Sequence, residues 1–572
     1  MTRWRLLVGA VLLLAIGAPL LLPFATLASH PAAWRVWLEA DRLLLLARNT
    51  VLLVALTLTL ALPAGVVGAV LLFRTDLPLR RALAFLAVVA LFVPLPLFAS
   101  GWQAVLGSGG LLPAASWSTP PPGDPDRAPT GPSWKPWAQG IEAAAWVHAV
   151  AGLPWVVLLV GQGLRWVERE LEEDALTAAG PWRVLRFVTL PRCGAAIGAA
   201  ALWVAVQTGT EITVTDMMQV RTFAEEVYSQ FVRPEPGQTV TGGAAELARA
   251  AAISGPQVVL TVGLVLLAVQ RWQRALPPRE TLLAPPLVYR LRGGRWPALA
   301  AVLGVSVVLT AVPLLSLTWK AGLGGDGEGW APTVLLIAII RVLRAQPWLI
   351  PESLATAATA GVGAAALALL TCWLALESRW FRLLALGLVA AAWAVPGPLV
   401  GIGMKEAINR LMDLEEVLGS ARPVRAWLYD GPSLLPVIWA YLVRLFPFAV
   451  AVLWPVVRLL PVELREAARV DGATPGQELQ HVVGPLALPA CVVAACVVAV
   501  LALGELSASK LVATPGSAIF THEVFTRMHY GITPDLAALC LLVLTAVTAG
   551  GAVVAATALL LRPPLERESA GH

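Results

Sequence analysis

Apolar side chains run in long stretches along this chain, near residues 6–28, 50–73, 82–106, 142–164, 194–215 and 254–270. Six more follow near 297–318, 353–376, 381–403, 433–457, 487–508 and 535–561. Each is close to the ~20 residues a helix needs to cross a bilayer. None shows the alternation of a barrel strand, so the pattern predicts twelve helices. A helix pairs every backbone amide within its own segment, which hydrocarbon requires. The run at 6–28 follows Arg3 and Arg5 as a signal peptide would, but its length is that of a retained first crossing. Pro154 and Pro447 fall inside two runs, where the loss of a backbone donor predicts kinks.

Arginines gather in alternate connections: Arg74 to Arg81, Arg165 to Arg192, Arg271 to Arg295, Arg379 and Arg382, Arg458 to Arg469, and Arg562 onward. Basic residues accumulate on the cytoplasmic side, which places both termini inside and the Pro-rich segment 107–140 outside. The chain also repeats. Trp146, Pro154, Arg165, Glu170, Glu173 and Ala175 recur as Trp439, Pro447, Arg458, Glu463, Glu466 and Ala468, and Glu211 recurs as Glu505. The expected fold is an all-α polytopic membrane protein, with two parallel six-helix repeats at 1–275 and 297–572 and a basic cytoplasmic linker at 276–296.

Composition agrees. Of 572 residues, 58% are hydrophobic and only 13% charged, with a mean hydropathy of +0.74, so the solvent is a lipid bilayer. The net charge of +5 comes almost wholly from arginines placed topologically, without the basic-aromatic interleaving of a nucleic-acid surface, so no nucleic-acid partner is expected. The five cysteines lie in apolar runs without metal-ligand spacing, and the six histidines form no His-x-x-x-His set, which argues against a membrane-embedded metalloenzyme.

Between the tenth and eleventh runs stands Glu466-Ala467-Ala468-Arg469-Val470-Asp471-Gly472, closed by Gly484-Pro485. Here a short amphipathic helix, a glycine free to take positive φ and a proline opening the next helix follow in order. The run resembles the cytoplasmic EAA loop of binding-protein-dependent ABC importer permeases, departing only where Gly484 replaces a leucine. A degenerate first copy, Glu173-Asp174-Ala175 with Gly180 and Pro191, leaves the acidic residue open between Glu173 and Asp174. The resemblance implies a type I ABC importer transmembrane fold, inner-membrane localisation, an ABC ATPase dimer as inner partner and a periplasmic or extracellular solute-binding protein as outer partner. None of Lys135, Lys320, Lys405 and Lys510 sits in a P-loop, so ATP is expected to be used by the partner ATPase, with no cofactor on this chain. The runs Glu505 to Ser509, Pro515-Gly516 and Glu523 to Gly531 look like fused ferric-iron-type permeases. That likeness implies ferric iron as solute and leaves thiamine, phosphonate and sulfate open.

Carboxylates are costly in hydrocarbon and face an interior or a water path, so Glu211 and Glu505 are candidates for lining the translocation route. Arg444 lies three residues before Pro447 and is expected to pair with a carboxylate or a backbone carbonyl, and His148 is a further candidate. The alternative function, an ion-coupled secondary transporter, shares the parallel halves but leaves the loop spacing unexplained.

Overall fold

The computed structural model describes residues 2–91, 93–106, 140–232, 244–275, 286–324, 329–419, 423–528 and 532–560. The Pro-rich segment lies, apart from Gly140, outside the described residues. The first part of the chain forms α1 (Thr2–Ser29), α2 (Ala40–Arg74), α3 (Arg80–Leu91), α4 (Leu95–Leu106), α5 (Ile141–Leu164), α6 (Arg169–Ala178), α7 (Pro181–Arg192), α8 (Gly194–Thr210), α9 (Thr213–Met217), α10 (Phe223–Val232) and α11 (Ala244–Ala275). There follow α12 (Arg292–Ala321), α13 (Pro332–Ala345), α14 (Leu349–Glu377), α15 (Arg379–Ala394), α16 (Gly397–Val417), α17 (Leu435–Arg458), α18 (Val462–Val470), α19 (Pro475–Gly504), α20 (Ser509–Val512), α21 (Phe520–Met528) and α22 (Pro534–Leu560). Among the described residues eight helices are long and apolar enough to cross a membrane singly, and eleven crossings result if each bent pair is one span. The twelfth expected run is α22, counted as a shorter apolar helix over Pro534–Ala549. Outward side chains such as Leu14, Leu44, Val259 and Val362 are exposed, as a lipid-facing surface requires.

Two expected straight helices are broken and a third is cut short. The run at 82–106 bends by 98° between α3 and α4, and that at 381–403 by 115° between α15 and α16. Both breaks carry the same local chemistry, Val93-Pro94-Leu95-Pro96 and Val395-Pro396-Gly397-Pro398, in which two prolines withdraw two donors within three residues. The run at 194–215 is preceded by a 63° bend between α7 and α8, and its helix ends at Thr210. The helices holding Pro154 and Pro447 instead continue through them as α5 and α17.

Recurrence extends to irregular backbone. Single π turns at Leu13–Gly17 and Val307–Ala311 lie 294 positions apart, and so do those at Leu185–Thr189 and Leu479–Val483. A π turn widens the helix and frees a carbonyl. In α1 that carbonyl is used: Ala15 O accepts from Trp439 Nε1 at 2.6 Å, which ties α1 to α17.

Small residues permit close packing where no hydrophobic gain distinguishes helix from lipid. Gly65 and Gly161 let α2 and α5 lie together against Val156 and Phe73, and Gly361 admits the Ala495 carbonyl of α19 to α14. The opening helix of each part then crosses to the other. Helix α1 rests on α11 and α16, and α12 rests on α4 and α22. Gly403 of α16 faces Pro19 of α1, while a Cβ on Gly101 of α4 would lie 2.8 Å from Pro313 Cα of α12. Ser316 Oγ donates to Gly101 O at 2.9 Å beside that contact. Arg5 near the start of α1 meets Glu377 at the end of α14 at 3.3 Å, so those two ends share one side.

A side chain at either glycine must push a proline-bearing helix away. Gly101→Leu and Gly403→Leu should each destabilise the detergent-solubilised protein by about 1–3 kcal/mol, a typical cost of overpacking. Gly387→Ala, whose Cβ meets nothing within 4 Å, should leave its thermal midpoint unchanged.

Candidate functional site

Helices α8 and α19 each end at a glutamate. Glu211 is the residue after α8 and Glu505 the residue after α19, 294 positions on. Each folds its carboxylate onto the start of the next short helix. Glu211 accepts from Thr213 N and from Val214 N, the latter at 3.0 Å, and Glu505 accepts from Ala508 N at 2.8 Å and Ser509 N at 3.1 Å. Free amides at a helix start favour a negative charge, so the turn that ends one helix opens the next.

Both carboxylates line one cavity of about 130 Å³, together with His148 of α5, Arg444 of α17 and the Pro94 break between α3 and α4. Arg444 is buried and donates to the carbonyls of Val395 at 2.9 Å and Ala392 at 3.4 Å, and to Thr210 Oγ1 at 2.6 Å. Those carbonyls are free because the helix breaks at Pro396. The expectation of a carboxylate or carbonyl partner therefore resolves to carbonyls and one hydroxyl, with the two glutamates acting on the guanidinium through space. His148 Nε2 lies 3.9 Å from Glu211 Oε2 and has no hydrogen-bond partner.

Trp155, Trp203 and Phe448 form one wall of this cavity and also border a second, of about 270 Å³, whose lining is almost wholly apolar. Ring centroids lie 4.5 Å apart for Trp155 and Trp203, 4.4 Å for Trp203 and Phe448, and 5.8 Å for Trp203 and Trp393. The layer is contributed by α5, α8, α15 and α17, so any relative movement of the two parts of the chain must rearrange it.

On the side where α1 begins, α6 and α18 each link a long helix to the next. Helix α6 carries Glu173, Asp174 and Ala175, with both acids exposed, and Gly180 and Pro191 fall at the start of α7 and near its end. Helix α18 carries Glu466, Ala467 and Ala468; Asp471 follows as its cap, and Gly472 adopts φ +83 with nothing within 4 Å of its Cβ position. Pro485 lies in the helix that follows, just after the π turn. The buried acid of the first loop is neither Glu173 nor Asp174 but Glu172, which pairs with Arg74 at 2.7 Å. In the second loop Arg465 pairs with Glu478 at 2.7 Å and Glu377 at 2.8 Å. Tyr289, from the segment preceding α12, stands beside Glu172; burial, with Glu172 adding and Thr189 opposing, pushes its phenol above the usual range.

Residues 357–562 match the family model described as binding-protein-dependent transport system inner membrane component. The matched stretch runs from within α14 to the end of α22 and contains α18, Arg444 and Glu505. With the apolar helices it indicates a multi-pass membrane protein carrying a transport-permease component. A search of curated proteins found no match. Helix α6, Glu211 and His148 lie outside the matched residues.

The structure thus brings Glu211, Glu505, Arg444 and His148 to one cavity and leaves the loop residues at the opposite ends of the same long helices. Reading the sequence missed Arg74, Glu172, Arg465, Glu478 and Tyr289, because single charges near helix ends look like interfacial arginines and solvated acids. It also missed the aromatic layer, because tryptophan is expected at helix ends. The recurring Val-Pro-x-Pro was the available signal for the broken helices.

Two largely buried carboxylates face one cavity with the Arg444 guanidinium beside it. Arg444→Met should lower stability to chemical unfolding by about 3 kcal/mol, the scale of leaving buried charge uncompensated, and Arg444→Lys by less.

Proposed function

We propose that the chain is the transmembrane permease of an ATP-driven importer, with two fused permease copies at 1–275 and 297–572 joined by a linker at 276–296. The observation that carries this is the unit from 462 to 485 inside the matched region. There a short exposed amphipathic helix, a glycine at positive φ and a proline-bearing long helix follow in the order a lever needs. The π turns and glutamates recurring at 294 positions, and the reciprocal Gly–Pro contacts, support a second copy in the first half.

On this reading α6 and α18 seat in an ABC ATPase dimer at the cytoplasmic side of the bacterial inner membrane, with both chain termini on that side. A solute-binding protein docks at the face where Glu211 and Glu505 lie. ATP-driven closure moves the two loop helices, which draw on α5 with α7 and on α17 with α19, and the aromatic layer between the cavities parts. Alternating access follows because each partner favours one of two arrangements of the same bundle. Twelve crossings follow if α22 spans.

Ferric iron is the solute that the likeness of residues 505–531 to ferric-iron-type permeases favours. Two carboxylates on the cavity suit a hard cation. Among the described residues no group of three or more His, Cys, Asp or Glu side chains is placed to hold a metal ion, so the path would pass the ion and selection would fall to the binding protein.

Reconstitution with a candidate ATPase and binding protein tests the proposal. Uptake should require ATP, fall by about tenfold or more in Glu466→Ala and vanish in Gly472→Pro, because proline cannot take positive φ. Uptake that persists in proteoliposomes without the ATPase would identify an ion-coupled secondary transporter and overturn it.

A further inference from the structure

Each loop helix is fastened to the end of a long helix by an ion pair, and the two pairs run in opposite directions. In the first part the cation, Arg74, ends α2 and the anion, Glu172, sits on α6. In the second the anion, Glu377, ends α14 and the cation, Arg465, sits on α18. Residues 172 and 465 occupy matching places, 293 apart in the same register as Glu173 and Glu466. A comparison that seeks like residues passes over them.

The fastenings also differ in kind. Arg74 and Glu172 are both 0% exposed, and their 2.7 Å bond is supplemented by Thr189 Oγ1 at 2.5 Å and Tyr289 Oη at 3.3 Å, both donating to the same carboxylate oxygen. Arg74 Nε and Glu172 Oε2 make no hydrogen bond, and neither ion has a second charged partner among the described residues. Tyr289 arrives on the segment that precedes α12. Its N donates to Arg74 O at 2.8 Å, its O accepts from Asp76 N at 3.2 Å, and Arg74 Nη1 donates to Leu287 O at 3.1 Å. The segment is thereby strapped across the joint between α2 and α6.

The second fastening is a shared network, with Arg465 and Glu478 buried and Glu377, Arg5 and Arg469 partly exposed. Arg465 and Arg469 both bond both carboxylates, Glu377 and Glu478, and Arg5 adds a further bond to Glu377 at 3.3 Å. Each charge has an alternative partner, and Arg469 is 42% exposed on its side chain. Gly472 at positive φ follows α18 at once, whereas α6 passes through Ala179 and Gly180 with ordinary extended backbone. Removing a buried charge from its only ionic partner is strongly unfavourable, while in a cluster where two arginines share two carboxylates one bond is lost without leaving a charge unpaired.

We infer that the two loop helices are unequally held: α6 is latched rigidly to α2 by Arg74 and Glu172, with Tyr289 of the connecting segment as its positioning residue, and α18 is mounted compliantly on α14. This rests on the reading of α6 and α18 as the two coupling helices and assigns them different work. The first is a fixed seat for one ATPase subunit, and the second carries most of the displacement. The connecting segment is then part of the coupling apparatus and not a passive tether.

Amide hydrogen exchange on the full-length chain in lipid nanodiscs, without any ATPase, tests this. Residues 169–178 should be about tenfold or more better protected than residues 462–470. Tyr289→Phe, which removes one hydroxyl, should speed exchange in α6 by about three- to tenfold and leave α18 unchanged. Glu172→Arg should release α6 further, and the matched exchange of Glu172→Arg with Arg74→Glu should restore its protection, a rescue that general loss of packing does not give. Arg469→Ala should change α18 by less than about twofold, because Arg465 still bonds both carboxylates. Equal protection of the two helices, or a Tyr289→Phe effect that is absent or shared by both, overturns the inference. Because no ATPase is present, this outcome is independent of whether either helix binds one, which a separate pull-down of the chain with the ATPase decides.

Discussion

A charge taken out of water must find a partner, and in a molecule with so few charges that rule fixes the places that matter. Lipid-facing surfaces carry leucine and valine, and buried ionisable groups gather at sites that include the cavity of Glu211, Arg444 and Glu505 and the two joints at Arg74 and Glu377. All three lie where helices end or break. A broken helix supplies what a buried charge needs, free carbonyls for Arg444 at Pro396 and free amides for the two glutamates at the next helix start. The prolines that interrupt the bundle therefore make its polar chemistry possible. Without the break after Ala394 the guanidinium would face carbonyls already committed to their own helix.

Much of this was legible in the residues. Eleven of the twelve apolar runs fall on candidate crossings, eight single helices and three bent pairs, and the motif at 466–472 gave a short helix followed by a glycine that does take positive φ. The internal repeat pairs Glu211 with Glu505, and both members face one cavity. What stayed hidden depended on tertiary neighbours. A proline inside an apolar run does not announce whether the helix continues: it continues through Pro154 and Pro447, whereas at Pro94 and Pro396 a second proline follows two places later and the helix bends sharply. Glu172 could not be separated from Glu170, Glu173 and Asp174 on an acidic helix, since only the approach of Arg74, nearly a hundred residues away, distinguishes it.

Recurrence and inversion coexist in the chain, and the physics of each explains why. Backbone features recur closely: the π turns, the double-proline breaks, the helix-ending glutamates and the Gly–Pro contacts that cross between parts. These set helix directions and separations, so altering one displaces everything packed on it. An ion pair is different, because its attraction is unchanged when the two charges trade places. Arg74–Glu172 and Glu377–Arg465 meet the same steric demand with opposite polarity, and nothing in the packing forces them to agree.

That freedom has a mechanical consequence when the parts share one polypeptide. Two separate identical subunits would have to anchor their loop helices alike, because one sequence would serve both positions. Here each position has its own sequence, and the segment leading into α12 can lie on one joint and not the other. A bundle whose opening helices cross between parts already moves as a coupled body. If two identical ATPase subunits drive it, as proposed, one stiff joint and one yielding joint would turn their symmetric push into a rotation about the stiff side, the motion that would shear the Trp155, Trp203 and Phe448 layer between the two cavities.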